Sequence, residues 1–220
     1  MRRLAATYNG SAAQHRALHE PKYRRWLDRL VYLPELADAD LDDLDGLLVT
    51  ERLHRAKFDA AAGRVLGVLE RGATVIFLLG GPPPEWLPGA RWEARFRSEQ
   101  GNWMPTWFLH PGDGLGLRAA DPEHPFLRRV PVENATWHHH GVLWPPEGAQ
   151  PVIVTRDGAS VIYLDRVSTP GTLLVATLDP IYHFGSYFMP ACERFLDGFL
   201  PWVVEELLED AGDGLSRAAR

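Results

Sequence analysis

A single cysteine, Cys192, stands in the 220 residues. One thiol cannot form a disulfide within the chain, nor build a multi-cysteine zinc site. Such usage fits a reducing compartment, and a cytoplasmic location is the expectation. No apolar run approaches the ~20 residues that a membrane-spanning helix needs, and the opening MRRLAATYNG lacks the apolar stretch of a secretory signal. A basic balance is missing too. Lys and Arg number 23 against 29 Asp and Glu, a formal charge of -6. The pairs Arg2-Arg3, Arg24-Arg25 and Arg128-Arg129 are scattered, so neither nucleic acid nor a membrane is an expected partner. The patterns GxSxG, P-loop, GxGxxG and HExxH are all absent. Internal repeats and low-complexity tracts are absent as well, and no motif implies a cofactor.

What is present reads as one α/β domain over residues 1–220, since 45% hydrophobic and 24% charged residues make an ordinary globular composition. A first strand is expected over residues 3–8, then a helix from Ala12 to Leu30 broken near Pro21. Val31–Leu33 is a short strand candidate. Leu47–Thr50 is a continuous apolar run, typical of a strand buried on both faces. In the helix that follows, Lys57–Arg71, Phe58, Ala62, Val65, Leu66 and Leu69 share one face, with Gly72 as the stop. Val75–Leu79 is a second apolar strand, ended by Gly80-Gly81 and three prolines. Strand, helix and strand in this order predict a right-handed crossover between parallel strands. Later runs at Pro151–Thr155, Ser160–Asp165 and Leu173–Leu178 are β-rich, with Asp157-Gly158 as a hairpin signal. A closing helix is expected over Ala191–Asp210, weakened by Gly198 and Pro201.

Two runs carry a resemblance. They are DLDDLDGLLVTERLHRAKFDAAAGRVLGVLERGATVIFLLGG and GTLLVATLDPIYHFGSYFMPACERFLDGFLPWV. Their element order resembles the class I glutamine-amidotransferase-like superfamily, and within it the ThuA-like and β-galactosidase trimerisation-domain-like branches. The resemblance implies a three-layer sandwich around a flavodoxin-like, mostly parallel sheet, here with an added β-rich segment. It also implies where a glutaminase would keep its machinery. A nucleophilic Cys belongs in a tight turn after a strand, and a His-Pro-Glu run after the last strand. This chain reads Phe77-Leu78-Leu79-Gly80-Gly81 at the first place and Leu178-Asp179-Pro180-Ile181 at the second. Only Pro180 matches, and Cys192 lies beyond both, so the catalytic triad is absent and glutamine hydrolysis is not expected.

Ligands of open α/β sheets bind outside the carboxyl ends of the strands. The residues expected there are Glu51, His54, Gly80, Gly81, Asp179 and His183. Asp179 and His183 are close enough to share a site, with Pro180 expected to delay the next helix and leave His183 in a loop. His138 and His140 would point to one face of a strand and His139 to the other. Two imidazoles on one face can begin a metal site, with a third ligand from His183, His124 or Asp179. Trp86, Trp92, Trp103 and Trp107 lie in irregular sequence, where exposed aromatics suit a ligand cleft or a protein interface, and Trp86 joins the ligand-binding candidates.

Two functions follow. The missing triad favours a non-catalytic domain that binds a small molecule or a partner protein as a sensor, accessory or assembly module, with a homo-oligomer among the possible states. The position of Asp179 and His183 favours instead a hydrolase of ThuA-like type, with or without a metal. Sequence alone leaves open whether the chain is catalytic.

Overall fold

The computed structural model describes residues 2–89, 91–95 and 115–209. Ten strands and seven helices lie among them. Five strands form a parallel half-sheet: β1 (Leu4–Tyr8), β2 (Arg29–Tyr32), β3 (Gly46–Val49), β4 (Thr74–Leu78) and β10 (Thr172–Ala176). Their spatial order is β2-β1-β3-β4-β10, all pairs parallel. That is the flavodoxin-like winding. As expected from the sequence, β3 and β4 are parallel neighbours inside the sheet, in register Leu47↔Val75 and Leu48↔Ile76.

The added β-rich segment extends this sheet antiparallel. It comprises β5 (Arg91–Ala94), β6 (Arg118–Ala119), β7 (Gly141–Trp144), β8 (Gln150–Val154) and β9 (Ser160–Asp165). Strand β9 lies between β10 and β8, and β7 meets it at Leu143↔Ser160 on the β10 side, past the end of β10. Asp157-Gly158 does turn β8 into β9, with Gly158 at φ 87.

Strand alternation sorts the core into two layers. Leu4, Ala6, Leu48, Ile76, Leu174 and Ala176 face one way, onto α1 (Ala12–His19) and α7 (Pro190–Trp202). Ala5, Leu47, Val49, Val75, Phe77 and Val175 face the other way, onto α3 (Arg55–Ala60) and α4 (Ala62–Glu70). Both faces of β3, β4 and β10 are therefore dry, which explains why they read as unbroken apolar runs, whereas the edge strand β2 is partly exposed.

Some boundaries differ from expectation. The first helix stops at His19, a separate turn α2 (Pro21–Arg24) follows, and β2 starts at Arg29. The helix expected over Lys57–Arg71 breaks at Ala61, and Val68 rather than Ala62 or Leu66 joins its buried stripe. A short helix α5 (Phe126–Arg129) precedes β7. The closing helix carries Pro201 inside it and continues as a π-turn over Val203–Leu207, as the missing proline N–H requires. No helix among the described residues is long and apolar enough to cross a membrane.

One close approach fixes the edge described next. Helix α6 (Pro180–Gly185) lies against α1, and a Cβ at Gly185 would overlap the Ala13 carbonyl oxygen. Arg16 donates to the Gly185 carbonyl across the same crossing. Gly185→Ala is therefore expected to cost about 1–3 kcal/mol of overpacking strain. Urea unfolding measures it, and an unchanged midpoint would show that the crossing yields freely.

Candidate functional site

At the carboxyl ends of β3, β4 and β10 the chain turns out of the sheet at Glu51, Gly80 and Asp179. The Leu79 N–H donates to the Ala176 carbonyl at 2.7 Å, so the exits of β4 and β10 stay side by side. The β3 exit is pinned from β1 and α1. Thr50 Oγ1 donates to the Thr7 carbonyl at 2.8 Å, and the buried Gln14 amide donates to the Glu51 carbonyl at 2.6 Å. Asn9 Nδ2 holds the Arg52 carbonyl at 2.8 Å. Between these anchors Arg52 sits at φ 60, a left-handed conformation that non-glycine residues rarely take.

Asp179 is completely buried. Its Oδ2 accepts from Arg52 at 2.8 Å and stands 3.2 Å from His183 Nε2 and 3.4 Å from His140 Nε2. Its Oδ1 lies 3.2 Å from His138 Nε2. His138 and His183 also face each other, Nε2 to Nε2 at 3.0 Å, with perpendicular rings. The position of β7 explains how a distant segment joins. It meets β9 at Leu143↔Ser160, two residues past the Ile162↔Ala176 level and so beside the Asp179 edge. The residues just before Gly141 then lie over that edge.

The electrostatics follow from burial. Desolvation pushes the Asp179 carboxyl up, but hydrogen bonds from His138, His140 and His183 outweigh it and hold the group well below its usual range. For His138 burial wins over the neighbouring carboxylate and holds the imidazole below its usual value. Glu51 goes the other way. It is wholly buried, and desolvation plus the charge of Asp179 push its carboxyl up to about 8. The Tyr182 N–H donates to Glu51 Oε1, while Oε2 has no partner. Arg52 pairs with Asp179 and acts on Glu51 only through its charge, its guanidinium 3.9 Å over the Tyr182 ring.

A cleft of about 270 Å³ adjoins this cluster, lined by Glu51, Arg52, Arg55, Phe77, Gly80 and Gly81 among others. The sequence candidates thus separate. Glu51, Gly80 and Gly81 line the cleft. Asp179 and His183 leave the sheet at the same edge but lie in the polar cluster, outside the cleft lining. His54 is exposed and only starts α3. Trp86 packs on Phe58 and Phe77 and donates to Asp59 Oδ1 at 2.8 Å, covering the core instead of the cleft. Trp92 is partly buried against that same core, whereas Trp103 and Trp107 lie outside the described residues. His124 sits apart, in a cavity with Gln150 and Arg166.

Two local expectations are corrected. Pro180 does not delay a helix; it opens α6 at its first position, where a missing N–H costs nothing and the fixed φ is favourable. His183 is therefore helical, at i+4 from Asp179. His138 and His140 precede β7 and are not on a strand, yet both still reach Asp179, while His139 Nδ1 donates to the Gly141 carbonyl at 3.1 Å. Arg52, Gln14 and Thr50 were not among the sequence candidates. For Arg52 the signal was its place between Glu51 and the end of an apolar strand.

Cys192 is fully buried in α7, and burial with the charges of Asp179 and Glu51 raises its thiol far above the usual range. It is no nucleophile.

No family model matches the chain, and no curated protein matches it. Solved structures do. A protein assigned as a GMP synthase component, from Thermoplasma acidophilum, shares 13% identity at TM-score 0.52, over 93% of this chain and 96% of that one. A glutamine amidotransferase from Thermotoga maritima shares 12% at TM-score 0.49, over 96% and 90%. A ThuA-like protein from Bacteroides uniformis shares 11% at TM-score 0.45, over 93% and 92%. Against the exo-β-1,4-mannosidase of Opitutaceae bacterium strain TAV5, the chain spans only 35% of that protein's length, at 10% identity and TM-score 0.45.

The raised Glu51 carboxyl gives a signed pH effect. Below the ordinary value of 4.5 both folded and unfolded chains hold the proton. Between there and about 8 the unfolded chain releases it and the folded chain does not, so stability falls as pH rises. In the presence of a chelator, the melting temperature of the wild type is expected to drop from about pH 5 to about pH 8 relative to Glu51→Gln. Parallel melting curves for the two proteins would remove the buried-acid assignment. The fold that holds this edge is shared, at TM-score 0.52, with the Thermoplasma acidophilum protein.

Proposed function

We propose that this chain is a hydrolase acting on a small, carboxylate-bearing molecule at the carboxyl edge of its sheet. The observation that carries the proposal is the convergence of Asp179, His138, His140 and His183 beside Glu51 and an open cleft. Buried polar groups at such an edge are costly to keep and are concentrated where chemistry occurs. The cleft is lined by Arg52 and Arg55, whose donors left over from Asp179 and Asp59 can meet an anion, and Gly80-Gly81 allow close approach of backbone. Asp179 orients the imidazoles that can take a proton from water. Glu51 lines the cleft and has an unpartnered Oε2, so it is placed to pass a proton to a leaving group.

A second reading is a non-catalytic binding domain on the same fold. It is favoured by the lack of a cysteine or serine among the described residues that line the cleft. In that reading the cleft holds its ligand unchanged and the buried cluster only stiffens the edge.

A panel of small esters and amides, with and without a free carboxylate, separates the two. Turnover is expected for the carboxylate-bearing members, with Asp179→Asn and Glu51→Gln each lowering kcat/KM by about 100- to 10,000-fold. Glutamine itself should release no ammonia. If no compound turns over while ligands still shift the amide resonances of Gly80 and Gly81, the binding-domain reading replaces the hydrolytic one.

A further inference from the structure

The three imidazoles gather around the carboxylate at short distances. His138 Nε2 to His183 Nε2 is 3.0 Å, Asp179 Oδ1 lies 3.2 Å from His138 Nε2, and Asp179 Oδ2 lies 3.2 Å from His183 Nε2 and 3.4 Å from His140 Nε2. Ligand atoms bound at their usual lengths around one tetrahedral zinc ion stand ~3.3 Å apart. The four distances bracket that value. The ligating atoms of His138, His140 and Asp179 all lie within 4.8 Å of one another.

Protons satisfy this set poorly. One proton can bridge His138 and His183, and Arg52 caps Asp179 Oδ2 at 2.8 Å. The contacts of His138 with Asp179 Oδ1 and of His140 with Asp179 Oδ2 are then long, at 3.2 and 3.4 Å, and neither Asp179 Oδ1 nor His140 Nε2 has a well-aligned hydrogen bond. Buried polar atoms without well-formed hydrogen bonds are unfavourable. A single cation between the four groups engages both orphan atoms and leaves the Arg52 contact on Oδ2 intact.

We infer that His138, His140 and His183, through Nε2, and Asp179, through its carboxylate, form a binding centre for one divalent transition-metal ion of the zinc class. Three nitrogens and one oxygen suit zinc or cobalt and disfavour magnesium and calcium, which prefer all-oxygen shells. The Nδ1 atoms of His138 and His183 have no partner. The outer support that normally fixes and strengthens ligating histidines is therefore missing for two of the three rings. The affinity is accordingly about 10- to 100-fold below that of a fully supported site. The inference deepens the hydrolytic reading of the same edge, and its catalytic meaning rests on that reading: with one of the four protein ligands released, the ion would polarise a substrate carbonyl or acidify a water. The binding of the ion does not depend on it.

The test uses the untagged full chain, stripped with a chelator and dialysed. Calorimetric titration with zinc chloride is expected to give one ion per chain, and magnesium chloride no heat. Cobalt in place of zinc should give the intense visible bands of a tetrahedral site. His140→Ala is the informative variant, because that ring is the most exposed of the four groups. Its metal-free form should melt as the wild type does, and its zinc affinity should fall more than about 100-fold. His138→Gln serves as a second variant. No stoichiometric zinc, or unchanged affinity in both variants, overturns the metal centre. Zinc binding without hydrolysis of any panel compound upholds the centre and removes the hydrolytic reading. Hydrolysis by a chain that takes up no zinc overturns the centre and leaves the hydrolytic reading standing.

Discussion

A buried carboxylate must be compensated where it stands, and Asp179 sets that demand at the end of β10. Its side chain is wholly enclosed, so neighbours must bring it hydrogen bonds and positive charge. The local architecture answers in turn. Pro180 opens a helix that returns His183 to the carboxylate one turn later. The offset pairing of β7 with β9 lays the residues before Gly141 over the edge. Arg52 reaches across from β3. Three chain segments far apart in sequence are thus committed to one point, and their mutual positions leave little freedom to any of them.

The scaffold that supports this point is legible in the sequence because its physics is local. Strands dry on both faces read as unbroken apolar runs, and Leu47–Thr50 and Val75–Leu79 announce a parallel pair by themselves. Asp157-Gly158 announces its hairpin through the conformational demand at Gly158. The edge itself is only partly legible. Asp179, Glu51 and His183 follow from the rule that strand ends carry function. Their meeting with His138 and His140 depends on the register of β7 against β9, which no local pattern encodes. Arg52 escaped for the opposite reason. An arginine after a strand looks like ordinary surface, and half of its meaning lies in a backbone angle. Trp86 misled because an aromatic among glycines and prolines suggests exposure, whereas Phe58 and Phe77 supply it with a core to cover.

The same edge of the same fold can hold quite different chemistry. The likeness to the Thermoplasma acidophilum protein at TM-score 0.52 is a likeness of fold. The thiol of Cys192 is sealed inside α7, so the polar side chains that reach the cleft are carboxylate, guanidinium and hydroxyl groups. The antiparallel strands beyond β10 then matter more than an ornament would, because the segment leading into one of them contributes two of the cluster's imidazoles.

The backbone at Arg52 carries a consequence of its own. A φ of 60 is comfortable for glycine and strained for arginine, by roughly 1–2 kcal/mol. Glycine at position 52 would relieve that strain and take the guanidinium away from Asp179 with it, so the strained angle and the buried ion pair stand or fall as one choice.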